Sequence, residues 1–179
     1  MRILIAETPD KKVKTILEID REVLLKELQQ DHGWHEVIPM YDSNVPIRIY
    51  FDIDACNKEP SYILEETLTG LHRFFRTTNE DWAIASCHRG KNVSFHILSR
   101  RHKCSLKQLR DIVGFIRLEI PWIDESAYWF SPEDRTEEGS LRLPNQSKGA
   151  IHKEGPPLVV EQGELAEFLV TDVTGLVDL

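Results

Sequence analysis

The sequence predicts an α+β fold with a largely antiparallel sheet, and three observations carry that reading. Clean apolar–polar alternation occurs in short runs, best at 47–54 and 92–99. Turn chemistry precedes each run, Asp42-Ser43-Asn44 before the first and His88-Arg89-Gly90-Lys91 before the second. A longer stretch with helical spacing, 62–75, stands between them. Strands that cluster in hairpins with helices between them favour α+β over a doubly wound parallel sheet.

The elements follow in order. Residues 3–5 read as a short strand, followed by a charged turn. Residues 14–30 have a helical pattern, with Leu17, Val23, Leu24 and Leu28 on one face and Gly33 just past the end. Strands are expected at 37–41 and 47–54, joined by the Asp42-Ser43-Asn44 turn. The helix at 62–75 carries Leu64, Leu68, Leu71 and Phe75 at helical spacing, with Pro60 near its start. A second strand pair, 82–86 and 92–99, flanks the glycine-containing turn. Ser105-Leu106-Lys107-Gln108 is a capping box that opens a helix bearing Leu106, Leu109, Val113, Ile116 and Ile120, which stops at Pro121. Short strands or irregular segments follow at 123–129, 141–143 and 158–160, and a short helix at 164–168. There is no internal repeat and no low-complexity linker.

With 179 residues and 41% hydrophobic content, the chain fits one globular domain, or two small lobes sharing a core. No apolar run is long enough to span a bilayer, and the opening Met1–Ala6 stretch is too short for a signal peptide. Cys56, Cys87 and Cys104 lack metal-binding spacing and fit a reducing, intracellular compartment. A net charge of −8 argues against a protein that coats nucleic acid non-specifically. The charge is uneven, however. Arg89, Lys91, Arg100, Arg101, Lys103, Lys107 and Arg110 follow one another with no carboxylate among them, while acidic residues gather at 18–27, 124–138 and the C-terminal tail. Such a strip suits a template or a triphosphate, and equally a solvated basic face.

Four motifs carry chemistry. In Arg48-Ile49-Tyr50-Phe51-Asp52-Ile53-Asp54, alternation puts Ile47, Ile49, Phe51 and Ile53 on one side of the strand and Arg48, Tyr50, Asp52 and Asp54 on the other. Two carboxylates about 6–7 Å apart on one strand face repel each other unless a cation sits between them. Hard divalent cations take such oxygen ligands, with substrate phosphates completing the shell. In Asn92-Val93-Ser94-Phe95-His96, the side chains of Asn92, Ser94 and His96 share a face, so Ser94 and His96 can reach one phosphate, His96 as donor or cation. Asp124 follows a helix and a proline and is a candidate third carboxylate, with Glu125, Glu133 and Asp134 competing for the role. In Ser140-Leu141-Arg142-Leu143-Pro144-Asn145-Gln146-Ser147-Lys148-Gly149, Arg142 projects opposite two leucines, and a flexible 147–149 end could bring the Lys148 ammonium to a phosphate. Taken singly, each motif also fits a solvated surface.

As an ordered set, these motifs resemble the catalytic core of the archaeo-eukaryotic primase superfamily, in the branch with PrimPol, herpesvirus primases and primase domains of large DNA viruses. Phe51-Asp52-Ile53-Asp54 is similar to the family's metal-binding D-x-D motif, and Ser94-Phe95-His96 to its S-x-H motif. Ile123-Asp124 followed by Tyr128 is similar to its third motif. Arg142 with Lys148 resembles the R-L-x-x-x-S-K signature. The resemblance covers about 47–148. It departs at Gly139, where relatives carry an arginine, and at Asn92, where a basic residue is common; Arg135 or Lys91 could stand in for the arginine. Within 1–179, no cysteine–histidine spacing of a zinc module follows residue 148.

The resemblance implies a primase-type core of two small lobes, with a mostly antiparallel, RRM-like module flanked by helices. The whole of 1–179 would form one primase–polymerase catalytic domain, either alone or at the N-terminal side of a larger primase–helicase. Asp52, Asp54 and Asp124 would hold Mg²⁺ or Mn²⁺. Ser94, His96, Arg142 and Lys148, with Lys91 and Asn92, would grip an NTP or dNTP. Arg89, Arg100, Arg101 and Lys103 are candidates for a single-stranded DNA template, and a fused or associated helicase is an expected partner. The activity implied is DNA-templated nucleotidyl transfer in replication or repair. The alternatives are a catalytically inactive nucleic-acid-binding module or subunit of the same fold and, behind it, a different metal enzyme such as a nuclease or a D-x-D glycosyltransferase.

Overall fold

A computed structural model describes residues 1–6, 14–40, 42–128, 139–147 and 155–179. Two antiparallel sheets organise it. Strands β1 (Arg2–Ala6), β2 (Lys14–Glu18) and β3 (Trp34–Ile38) join with a late strand, β7, in the order β2-β1-β3-β7, and helix α1 (Arg21–Glu27) lies between β2 and β3 in the chain. The second sheet begins with β4 (Pro46–Cys56), followed by α2 (Pro60–Phe75), β5 (Trp82–Arg89), β6 (Asn92–Ser105) and α3 (Leu106–Ile116). Then come β7 (Gly139–Arg142), β8 (Val159–Gln162) and β9 (Val177–Asp178). The strand order is β4-β6-β5-β8, and β9 adds a short parallel pairing on β6. The α+β class with largely antiparallel pairing is therefore what the chain adopts.

Most apolar spacing lands as the periodicity predicts. Phe51 and Ile53 of β4, Val93, Phe95 and Ile97 of β6, and Leu106, Leu109, Val113 and Ile116 of α3 all enter one large core with Leu68 and Leu71 of α2. The capping box forms: Ser105 Oγ accepts from the Gln108 amide at 3.2 Å, and Gln108 Oε1 accepts from the Ser105 amide at 2.8 Å. A smaller cluster of Ile3, Leu24, Leu28, Leu143 and Leu169 supports the first sheet. No helix among the described residues is long and apolar enough to cross a membrane.

Three expectations change. The stretch 14–30 is not one helix: 14–18 pairs with β1, and Asp20 then caps a short α1 by accepting from the amides of Glu22 (2.8 Å) and Val23 (3.3 Å). Leu24 and Leu28 are buried as expected, but Leu17 and Val23 are exposed. The β3 strand runs 34–38 instead of 37–41, and Tyr41 lies outside the described residues. The turn after it does not make a hairpin, because β3 and β4 belong to different sheets. A polar turn punctuates the chain without saying which strands it joins.

Helix α2 packs at a glycine against the turn that follows α3, which ends at Ile116 and not at Pro121. A Cβ at Gly70 would lie 2.7 Å from Ile120 Cγ1, well inside contact distance. Gly70→Val is expected to cost about 2 kcal/mol through overpacking, read as a lower midpoint in chemical denaturation.

Candidate active site

The strand register builds the site. Across β4, β6 and β5, Asp52 stands opposite His96, and His96 opposite Ala85. One step along, Asp54 faces Ser94, and Ser94 faces Cys87. A further step sets Cys56 against Asn92, and Asn92 against Arg89. Because alternate residues share a face, carboxylates occupy the β4 column, uncharged donors the β6 column, and a thiol and a guanidinium the β5 column. Strand β7 of the other sheet brings Arg142 over this surface, with His35 of β3 directly beside it in register. The result is a cleft of about 600 Å³ between the two sheets, lined among others by Asp52, Asp54, Ser94, His96, Asp124 and Arg142.

Asp124 reaches the cleft through backbone pairing. The Asp124 amide donates to the Asp52 carbonyl at 2.9 Å, and the Asp54 amide donates to the Trp122 carbonyl at 2.9 Å, around an Ile53–Ile123 bridge. The next β4 amide, that of Asp52, donates to the Tyr128 hydroxyl at 2.9 Å. Tyr128 is fully buried and stacks on Tyr50 with ring centroids 5.0 Å apart, and Arg110 Nε donates to its carbonyl at 2.8 Å. Thus a segment far along the chain is fastened to the edge of β4 by a short ladder and an aromatic pair. The side chain of Asp124 caps the following turn, accepting from Ser126 N and Ser126 Oγ at 2.9 Å each.

His96 is buried yet lines the cleft, with Nε2 3.5 Å from Asp52 Oδ1. Burial first, and then the neighbouring Arg142 and His35, push its pKa down to about 3, against a hydrogen bond to the Arg142 carbonyl. His96 is therefore a neutral imidazole at pH 7, which narrows the expected donor-or-cation role to that of a neutral group. Arg142 Nη1 lies 3.5 Å from Cys87 Sγ.

The other expected site residues divide. Asn92 and Arg89 line the cleft, whereas Lys91 is exposed at the hairpin tip outside it, where its carbonyl accepts from Asn57. Arg100, Arg101 and Lys103 stand further along β6, engaged with Glu167 (2.8 Å), Asp81 (3.1 Å) and Asp178 (3.8 Å). Lys148, together with Glu133, Asp134 and Arg135, lies outside the described residues. Ser147 is no flexible end: it is buried, its amide donates to Asp31 Oδ1 at 2.9 Å and its hydroxyl donates to Asp31 Oδ2. Next to it the fully buried Gln146 side chain accepts from the His32 and Trp34 amides at 2.7 and 3.3 Å. His35, Cys56 and Cys87 line the cleft without having been singled out. Alternation marks which side chains share a strand face, but only the pairing of β3 with β7 shows that His35 meets Arg142.

Among the described residues no three His, Cys, Asp or Glu side chains form a ready-made metal cage. Mg²⁺ is commonly held by only one or two carboxylates, with waters and substrate phosphates filling the shell. Asp52 and Asp54 supply hard oxygen donors of that kind, and Asp124 can join them by releasing Ser126. The donor set fits a hard divalent cation. No protein-family model matches the chain, and no curated protein sequence matches it.

Proposed function

We propose that the cleft is the active site of a DNA-templated nucleotidyltransferase with a primase-type core, working on NTP or dNTP with Mg²⁺ or Mn²⁺. One observation carries this reading: three aspartates from two distant segments, two uncharged donors and two arginines line a single cleft, with Asp52, Asp54, Ser94, Asn92 and Arg89 in ordered columns. Asp52, Asp54 and Asp124 would hold the cation, which when bound supplies charge neutralisation at the transferring phosphoryl group and a more acidic attacking hydroxyl. Ser94 and Asn92, in the middle column, donate hydrogen bonds to phosphate oxygens. Arg142 offers a planar fork of N–H groups suited to bidentate contact with them. His96, neutral and nearly enclosed, orients beside Asp52 instead of adding charge, so the cationic grip rests on arginine.

A second reading, a non-catalytic nucleic-acid-binding module, draws on Asp124, whose carboxylate is engaged in capping the turn at Ser126. The deciding experiment is synthesis on unprimed and primed single-stranded DNA with labelled NTPs or dNTPs and each metal. Metal-dependent, template-directed product is the expected result. Template affinity that falls with salt but yields no product with either ion favours the binding module and overturns the enzyme. DNA cleavage by metal alone would indicate a nuclease.

A further inference from the structure

We propose that Arg89 is a polyphosphate-binding residue of this cleft and not part of a template path. The inference rests on the nucleotidyltransferase reading for its physiological ligand, but on geometry for the anion site. Arg89 shares its strand face with Cys87, and Cys87 Sγ lies 3.5 Å from Arg142 Nη1 and 3.3 Å from the Pro156 carbonyl. The segment at 155–156 runs alongside: a Cβ built on Gly155 would stand 3.5 Å from Arg89 Cδ, and Gly155 itself has φ +82°. The backbone thus passes beside Arg89 at a position suited to glycine.

Charge separates Arg89 from the rest of the basic strip. Arg100, Arg101 and Lys103 are each paired with a carboxylate. Arg89 and Arg142 have no ion pair among the described residues, and both line the cleft. Two guanidinium groups with no carboxylate partner among the described residues therefore face the Asp52–Asp54 column across Ser94 and Asn92. An anion lying along the middle column meets hydrogen-bond donors beneath it, arginines on one side and cation-binding carboxylates on the other. A chain of linked phosphates, as in inorganic tripolyphosphate or a nucleoside triphosphate, has the length and charge to touch all three columns.

The test uses inorganic tripolyphosphate with Mg²⁺ and no DNA, its affinity measured by calorimetry for the wild type, Arg89→Ala, Arg89→Lys and Arg101→Ala. Loss of about tenfold is expected for Arg89→Ala, a smaller loss for Arg89→Lys, and none for Arg101→Ala. Tripolyphosphate should also slow alkylation of Cys87, followed by peptide mass spectrometry, in the wild type but not in Arg89→Ala. Single-stranded DNA affinity should be the same in the wild type and Arg89→Ala. Wild-type tripolyphosphate affinity in Arg89→Ala, or a loss confined to DNA binding, overturns the assignment while leaving the enzyme reading intact. A wild-type protein that binds no tripolyphosphate overturns both.

Discussion

Asp52→Ala and Asp54→Ala are each expected to lower metal-dependent nucleotide incorporation by a factor of about 10³ or more, while the protein stays folded. The size follows from the role: a carboxylate that holds the cation acts on the transition state, so its loss appears in kcat as well as in kcat/KM. Retention of the fold follows from the surroundings. Asp54 is exposed, and the side chain of Asp52 keeps 18% of its accessible surface. Removing either one relieves repulsion between two carboxylates on one strand face, so thermal stability should be unchanged or slightly higher, as is common when a functional site is neutralised. His96→Ala should behave differently, chiefly raising KM for nucleotide, because a neutral imidazole that arranges Asp52 and the Arg142 carbonyl carries no cation itself. Primer extension and a melting curve on the same preparations test both halves. Asp52→Ala with wild-type extension would refute the metal assignment.

The parts of this site that were legible in the sequence are those set by strand alternation. Asp52 with Asp54, and Ser94 with His96, share faces because a strand repeats every two residues, and nothing in the tertiary structure alters that. Arg142 opposite two buried leucines is readable for the same reason. Placing Asp124 needed a resemblance, because a single bridge at Ile123 and a tyrosine hydroxyl on the Asp52 amide leave no periodic trace. The misread stretch at 14–30 shows the complementary limit. Its apolar spacing fits a helix, yet Asp20 is a better place to start one, and 14–18 gains a partner in β1 that no local pattern announces. The basic strip divides in the structure for a related reason. Consecutive charges on a long strand leave the cleft as the strand does, and each then meets whichever carboxylate lies nearby.

The second large effect concerns the joint between the sheets, where Arg48→Met is expected to lower stability by about 3 to 5 kcal/mol. Arg48 is 5% exposed, and its guanidinium donates to the carbonyls of Leu169 (3.2 Å), Ser99 (2.8 Å) and Asp172 (3.1 Å). Close by, the fully buried carboxylate of Glu36 on β3 accepts from Val170 N (2.5 Å), Thr171 N (2.8 Å) and Thr171 Oγ1 (2.6 Å). The C-terminal segment is thereby clamped to both sheets, to β4 by Arg48 and to β3 by Glu36. Methionine keeps the apolar stem but leaves three carbonyls without their donor and Glu36 without a nearby cation. Burial already raises the Glu36 carboxyl above its usual range, against the Thr171 and Val170 donors and Arg48. A raised carboxyl binds its proton in the folded state where the unfolded chain has released it, so its contribution is fully present below the ordinary carboxylate value and is lost as pH rises through the folded value. Without Arg48 that window extends upward. Relative to the wild type, Arg48→Met should therefore lose more stability at about pH 8 than at about pH 5. Adding Glu36→Gln should remove this excess slope, and the pair should show a coupling of about 1 to 3 kcal/mol in a double-mutant cycle. Equal losses at both pH values, or strict additivity, would show that the two charges do not act as one joint.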